Sequence, residues 1–143
     1  MHRWQRWAIL PSMGAALKLY DETPTGERVH EFTLQLVSDR VTVRELIEAR
    51  VREEVRSYNA QKPKLFRGLI QPTDTEMQLN GFRLRKQRDI DADKQCVAAM
   101  KAFESNGFFM LVDDKQVESL DADLFLTPNT TVSFVKLVAL VGG

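Results

Sequence analysis

This sequence has few thiol and imidazole groups, which serve as nucleophiles, general bases and zinc ligands. Cys96 is the single cysteine, and His2 and His30 are the two histidines. Cys96 lies among valine and alanine on a predicted helix, where a free cysteine commonly packs as a small apolar residue. The three residues do not have the spacing of a zinc site. We therefore predict that the chain is not an enzyme and that it binds no metal or other cofactor itself.

The last two residues, Gly142 and Gly143, are a second candidate for chemistry. Glycine has no Cβ and adopts backbone angles that other residues refuse, so an end of this kind can enter a narrow channel. Average glycine usage is about 7%, so a terminal pair arises by chance in roughly half a per cent of sequences. The competing interpretation is a frayed end, because termini are commonly rich in small residues. We predict a flexible tail over 139–143.

Composition limits the classes of protein to consider. The chain has 143 residues and is 43% apolar, which predicts one domain with a core. Its 20 Lys and Arg balance 20 Asp and Glu, so the net charge gives no reason to expect a nucleic-acid or membrane partner. No apolar run approaches the ~20 residues of a membrane helix, and the single cysteine fits a reducing cytoplasm. Residues 1–13 are interpreted as an N-terminal extension.

The first half of the sequence predicts a β-hairpin followed by a helix. Apolar and polar residues alternate over 17–20 and again over 32–37, with a proline and a glycine between them. Thr42 and Glu45 match a capping box, in which each residue satisfies a free backbone amide at a helix start. A helix is therefore expected from 42 to about 59. Its apolar stripe consists of Val43, Leu46, Ile47, Val51, Val55 and Tyr58.

Residues 61–106 are interpreted as an insertion. Prolines and glycines interrupt its first part, up to residue 90, where we expect some extended structure. A second helix is predicted from Asp91, capped by Asp91 or Asp93. Asn106-Gly107 should end this helix, with the glycine in the left-handed conformation.

After the insertion the pattern predicts strands again. Large apolar residues over 108–112 form one strand, and a turn at Asp113-Asp114 leads to a short return strand at 116–117. A compact loop holding three leucines follows. The last strand is expected from 131 to about 138, directly before the tail.

Without the insertion, the order of elements is ββαββ. The closest local likeness to known families covers 108–143, where a short strand is followed by a leucine, a turn, a valine, one further residue and a phenylalanine, and then by Gly-Gly. The segments that carry it are 109–113, Leu120, 124–129, 131–134 and 141–143. They resemble the β-grasp fold of ubiquitin and of the small sulfur carriers of thiamine and molybdopterin synthesis. The resemblance implies a single α+β domain over 14–138, with a mixed sheet packed on the main helix and an extra helix in the insertion.

The same resemblance implies a function for the chain end. The carboxylate of Gly143 would be adenylated with ATP by an E1-like activating enzyme and passed to amines of target proteins, as in prokaryotic ubiquitin-like modifiers. An E2-like conjugating enzyme and a JAB-type deconjugating peptidase are further implied partners. Gly142 and Gly143 would form the site of adenylation and conjugation, and the tail residues that would contact the activating enzyme are Val138, Ala139, Leu140 and Val141. Val141 replaces the arginine of ubiquitin, which leaves a sulfur carrier with a C-terminal thiocarboxylate as one alternative. The other alternative is an adaptor that is not conjugated.

Two surfaces are predicted to bind partners. Arg83 and Arg85 alternate with apolar residues, which indicates either a strand with a solvated basic face or a docking site for the activating or conjugating enzyme. Nucleic-acid binding is disfavoured, because acidic residues follow directly. On the strand over 108–112, one face must join the core and the other could form an exposed apolar patch. Phe108 and Met110 are the candidates for that patch.

Overall fold

The computed structural model describes residues 15–137, which form an α+β structure with a mixed sheet and two helices. These residues divide into two compact units: unit 1 comprises 15–46 and 106–137, and unit 2 comprises 47–105. The predicted extension over 1–13 lies outside the described residues. In chain order the elements are β1 (Ala15–Glu22), β2 (Arg28–Leu36), β3 (Arg40–Thr42), α1 (Val43–Gln61), β4 (Thr75–Gln78), β5 (Gly81–Leu84), α2 (Ala92–Glu104), β6 (Phe108–Val112), β7 (Lys115–Val117), β8 (Asp123–Phe125) and β9 (Val132–Lys136).

Five strands of unit 1 form one mixed sheet in the order β2-β1-β9-β6-β7. β1 and β2 make the predicted antiparallel hairpin, with Leu17 opposite Leu34. β9 lies in the middle, parallel to β1 and antiparallel to β6. Successive side chains of a strand point to opposite faces, and one face of this sheet supplies much of the core of unit 1. Its buried residues include Leu17, Leu19, Leu34, Leu36, Phe108, Met110, Val132 and Phe134.

The turn between β6 and β7 fixes the start of β9. Asp113 and Asp114 both adopt left-handed backbone angles, with φ of 51° and 66°. Two such residues match the twist of a tight hairpin, and aspartate tolerates them better than most side chains. The Asp113 carboxylate accepts from the backbone N–H of Thr131 at 2.9 Å, and the Asp113 N–H donates to the Thr131 carbonyl at 2.8 Å. The predicted turn is confirmed, and it anchors the residue just before the central strand.

The region predicted as a compact loop around 120–126 contains a strand. β8 pairs antiparallel with β3, which places Leu124 opposite Val41. Leu120, Leu124 and Leu126 are all buried. The loop prediction was wrong here because each strand has only three residues, too few to show an alternating pattern.

Helix α1 begins with the predicted capping box. The Glu45 N–H donates to Thr42 Oγ1 at 3.1 Å, and the Thr42 N–H donates to Glu45 Oε1 at 2.8 Å. All six residues of the predicted apolar stripe are buried. The helix continues to Gln61, slightly beyond its predicted end. Lys62 then adopts a left-handed φ of 47°, and Pro63, which has no N–H to donate, ends the helix.

A buried ion pair ties α1 to the chain that follows it in unit 2. Arg50 is fully buried, and its Nε donates to Glu54 Oε2 at 2.7 Å. The other carboxylate oxygen of Glu54 accepts from the backbone N–H of Leu69 at 3.1 Å. Nearby, the Asn59 amide donates to the Ile90 carbonyl and accepts from the Ile90 N–H. Polar side chains of one helix therefore hold two separate segments of the insertion.

The insertion contains extended structure, as predicted, in the hairpin of β4 and β5. Phe66 pairs with the outer edge of β5, because Phe66 and Phe82 exchange backbone hydrogen bonds of 2.8 and 2.9 Å. This approach requires a glycine at position 81. A Cβ on Gly81 would lie 2.9 Å from the Phe66 carbonyl oxygen, and Gly81 has φ of +153°.

Helix α2 follows the hairpin and is capped as predicted. The Asp91 carboxylate accepts from the Lys94 N–H at 3.1 Å. The helix ends at Glu104, and Asn106 adopts the left-handed conformation with φ of 62°. The prediction that Gly107 adopts it was wrong by one position. Asparagine tolerates this conformation better than most residues with a side chain.

Candidate functional site

The end of β9 is the point from which the predicted tail departs. β9 is hydrogen-bonded on both sides, with Phe134 opposite Asp21 of β1 and opposite Met110 of β6. Leu137 is the last described residue. The residues predicted to contact an activating enzyme (Val138, Ala139, Leu140 and Val141) and the pair Gly142-Gly143 lie outside the described residues. What the structure describes is therefore the base from which the tail starts.

Polar side chains link β1 to β9 on both faces of the sheet. On the core face, the Lys136 ammonium lies 3.5 Å from the Asp21 carboxylate, which is almost fully buried. On the opposite face, Ser133 Oγ donates to Glu22 Oε2 at 2.6 Å, and Arg28 Nε lies 3.5 Å from the same oxygen. These contacts hold the C-terminal ends of two parallel strands together. They hold the end of β9, from which the following residues start, against β1.

The sequence contained a signal for the buried carboxylate that the prediction did not use. Leu17 and Leu19 are buried, and the period-two pattern of a strand continues from them to Asp21. An aspartate at the third inward position of an apolar strand needs a cation or hydrogen-bond donors nearby. Lys136 supplies a cation here, but it lies more than 100 residues further along the chain.

Phe108 and Met110 do not form an exposed patch, which corrects their predicted role as a partner-binding surface. They are 2% and 0% exposed, and the Phe108 ring lies 6.0 Å from that of Phe134 in the core. Alternation along β6 was recognised correctly, but the wrong face was chosen as the outer one. Phe109 and Leu111 occupy the other face and are half-buried, with Phe109 opposite the half-buried Val135 of β9.

Arg83 and Arg85 lie where the alternation predicts, exposed on and just after β5, while Phe82 and Leu84 are buried. Each arginine has an acidic neighbour on the other side of the hairpin. Arg83 binds the carboxylate of Glu76, and Arg85 lies 3.5 Å from that of Asp74. The strand with a basic outer face is confirmed. The role of these arginines in docking a partner enzyme stays a prediction.

Cys96 is buried on α2. Burial raises the pKa of its thiol, although the guanidinium of Arg52 opposes the shift. A raised pKa favours the protonated thiol, which is the less nucleophilic form. Of the histidines, His2 lies outside the described residues, and the ring of His30 stacks on Phe32 at 5.4 Å. Of the two described residues, His30 belongs to unit 1 and Cys96 to unit 2.

Two further properties of the described residues concern metal binding and membrane crossing. Across residues 15–137, His, Cys, Asp and Glu side chains form no cluster of three or more that could hold a metal ion. In the same range, neither helix has the length and apolar character needed to cross a bilayer. Comparisons with family models, with curated proteins and with solved structures found no match to this chain. The proposal for its function therefore rests on the sequence pattern and on the geometry above.

Proposed function

We propose that this protein is a ubiquitin-like modifier of β-grasp type, attached through the carboxylate of Gly143 to amines of target proteins after ATP-dependent activation by an E1-like enzyme. The observation that carries the proposal is the place of β9. It is the central strand of the mixed sheet, paired on both sides, and the chain continues from it into the tail. The strand order β2-β1-β9-β6-β7 and the helix that follows the first hairpin are compatible with a β-grasp arrangement.

The proposed chemistry activates the carboxylate of Gly143 and then transfers its acyl group. A Gly143 carboxylate oxygen attacks the α-phosphorus of ATP, and pyrophosphate leaves, so that a poor acylating agent becomes an acyl adenylate. A cysteine thiolate of the partner displaces AMP to give a thioester, and a target amine then displaces the thiolate to form the amide. Cys96 is buried, so the thiolate comes from the partner. Gly142 and Gly143 place no Cβ beside the carbonyl under attack.

A sulfur carrier is the second candidate, and the apolar run Leu137 to Val141 favours it. In that chemistry the adenylated carboxylate receives sulfide instead of an amine. A non-conjugated adaptor is the third candidate. It is supported by the outward apolar side chains of Phe109, Leu111 and Val135 on the sheet.

Mass spectrometry of the protein from its native host distinguishes these functions. Lys136 is the last tryptic site, so a modified target lysine would carry Leu-Val-Ala-Leu-Val-Gly-Gly after digestion. That remnant is the expected result, and it names the targets. The intact mass of the free protein tests whether the mature chain ends at Gly143. A free protein in which one carboxylate oxygen is exchanged for sulfur would identify the sulfur carrier instead.

The matched control is a variant that lacks Gly143. We expect its circular dichroism spectrum and melting temperature to equal those of the wild type, while the remnant disappears from target lysines. Conjugates that persist in this variant would contradict attachment through Gly143. An unmodified carboxylate in every wild-type sample would favour the adaptor.

A further inference from the structure

Positive charge is concentrated in one continuous segment of unit 2. Residues 62–89 contain seven Lys and Arg and three Asp and Glu, a net charge of +4, so the rest of this neutral chain carries −4. Four of the seven basic side chains have partners within the segment. Arg83 binds Glu76, Arg85 lies near Asp74, Lys62 lies 2.6 Å from Asp89, and Arg88 donates to backbone carbonyls.

The other three basic residues of the segment are Lys64, Arg67 and Lys86. All three are exposed, and none makes an ion pair or a side-chain hydrogen bond to another residue that the structure describes. Three of the four excess positive charges of the segment therefore lie on these exposed side chains, and the fourth is that of Arg88. Neither Arg83 nor Arg85, the residues singled out by the sequence, belongs to this set.

Arg67 lies beside Gly81, the first residue of β5. Its Cγ is 3.3 Å from the position that a Cβ of Gly81 would occupy, so the arginine side chain approaches the hairpin where Gly81 leaves room. Leu79, in the turn itself, is 96% exposed. We call Arg67 and Leu79 the hairpin tip.

The chemistry of the hairpin tip selects among anionic partners. Proteins that bind single-stranded nucleic acids commonly stack bases on exposed aromatic rings. The two aromatic residues of 62–89, Phe66 and Phe82, are only 3% and 6% exposed. A fully exposed leucine can pack against apolar side chains on a protein surface, whereas a phosphate backbone offers it no apolar contact.

We propose that the hairpin tip docks an acidic segment of a partner protein, with a carboxylate against Arg67 and an apolar side chain against Leu79. Arginine suits this task because its planar guanidinium matches a carboxylate in two parallel hydrogen bonds. The docking does not depend on activation of Gly143. It gives the insertion, which separates the two parts of unit 1 in sequence, a binding role of its own.

The probe is a short fluorescein-labelled peptide in which leucine alternates with glutamate, titrated with the full chain while fluorescence polarisation is followed. We expect saturable binding that weakens as salt is raised. Arg67→Glu should weaken binding by about tenfold or more, since it places a like charge at the contact. Leu79→Ser should weaken it less and leave its salt dependence unchanged. Lys115→Glu, an exposed change of equal net charge on β7 in unit 1, should bind as the wild type does.

Several outcomes would overturn the docking proposal. The same peptide with glutamine for glutamate should bind far more weakly, and equal binding would show that charge is not recognised. Equal losses in Arg67→Glu and Lys115→Glu would show that only the overall charge matters. Tighter binding of a single-stranded oligonucleotide would make the surface a nucleic-acid site instead. Arg67→Ala, which removes the guanidinium without adding a like charge, provides a further variant if Arg67→Glu fails to fold, and it should also weaken binding.

Discussion

Two adjacent carboxylates of α1 offer a direct test of how burial changes the contribution of an ion pair to the free energy of unfolding. Glu54 accepts from the fully buried Arg50 at 2.7 Å and is itself only 11% exposed, whereas Glu53 binds Arg56 on the surface, with exposures of 43% and 68%. The perturbation is the same in both cases, Glu to Gln. Glutamine has nearly the same volume but keeps only one acceptor oxygen, so each change removes the negative charge and puts an NH2 donor in place of the second acceptor.

The two substitutions should differ strongly in their effect on the free energy of unfolding. Removing one partner of a buried pair costs about 3–5 kcal/mol, because the remaining charge stays in a medium that solvates it poorly. Removing one partner of an exposed pair costs roughly 0.2–1 kcal/mol. At about 1.4 kcal/mol per tenfold, Glu54→Gln should raise the unfolding equilibrium constant by about two to three and a half powers of ten. Glu53→Gln should raise it by a factor of about five at most.

Thermal unfolding at pH 7, followed by far-ultraviolet circular dichroism, measures the difference. We expect Tm to fall by roughly 10 °C or more for Glu54→Gln and by about 3 °C or less for Glu53→Gln. The side chain of Arg56 lowers the pKa of the Glu53 carboxyl, so the small contribution of Glu53 is present above its unfolded pKa and is lost as pH falls through its folded pKa. Added salt should shrink the effect of Glu53→Gln and barely change that of Glu54→Gln. Equal shifts in Tm for the two variants would refute the reasoning from burial.

Four further predictions concern single positions. Thr42→Ala should lower the free energy of unfolding by about 1 kcal/mol in urea titrations through loss of the helix cap, while Thr42→Ser should not. Asn59→Asp keeps the acceptor but loses the donor of its paired backbone contacts, and should cost about 1–3 kcal/mol in the same assay. Met110→Lys should prevent folding, as judged by circular dichroism, whereas Leu111→Lys on the opposite face should give a folded protein. Cys96, buried and with a raised pKa, should react with a thiol reagent at pH 8 much more slowly in the native protein than in urea.

The elements that the sequence predicted correctly are those with local signals. Thr42 and Glu45 lie three residues apart and form the capping box, and Asp91 caps the second helix through a residue three positions later. The period-two pattern likewise predicted β1 and β2, and a run of large apolar residues predicted β6. Each of these signals lies within one element, so the rest of the chain is not needed to interpret it.

The features that were missed depend on residues distant in the sequence. β3 and β8 stabilise each other across about eighty residues, and neither shows a pattern alone. Alternation on β6 offered two faces, and only the position of β9 decides that Met110 is the buried one. The buried Arg50 interrupts the apolar stripe at helical spacing. This signal can be interpreted only once it is known that Glu54 binds Arg50 and also accepts from the distant Leu69 N–H. The tail with Gly142 and Gly143 lies outside the described residues, so its role stays a prediction.

The pairing of β1 with β9 has a consequence for the order in which the chain acquires its structure. Leu19 and Val132 are neighbours in the sheet although more than 100 residues separate them, whereas unit 2 is one uninterrupted segment. Contacts between distant residues form slowly, because a long loop must first be closed. During synthesis, unit 2 can therefore form its local contacts before β9 has been made. Until then, the edge of β1 that pairs with β9 stays unpaired. An unpaired, apolar strand edge can pair with other chains. We therefore expect chaperones to bind the β1–β2 hairpin before β9 pairs with β1.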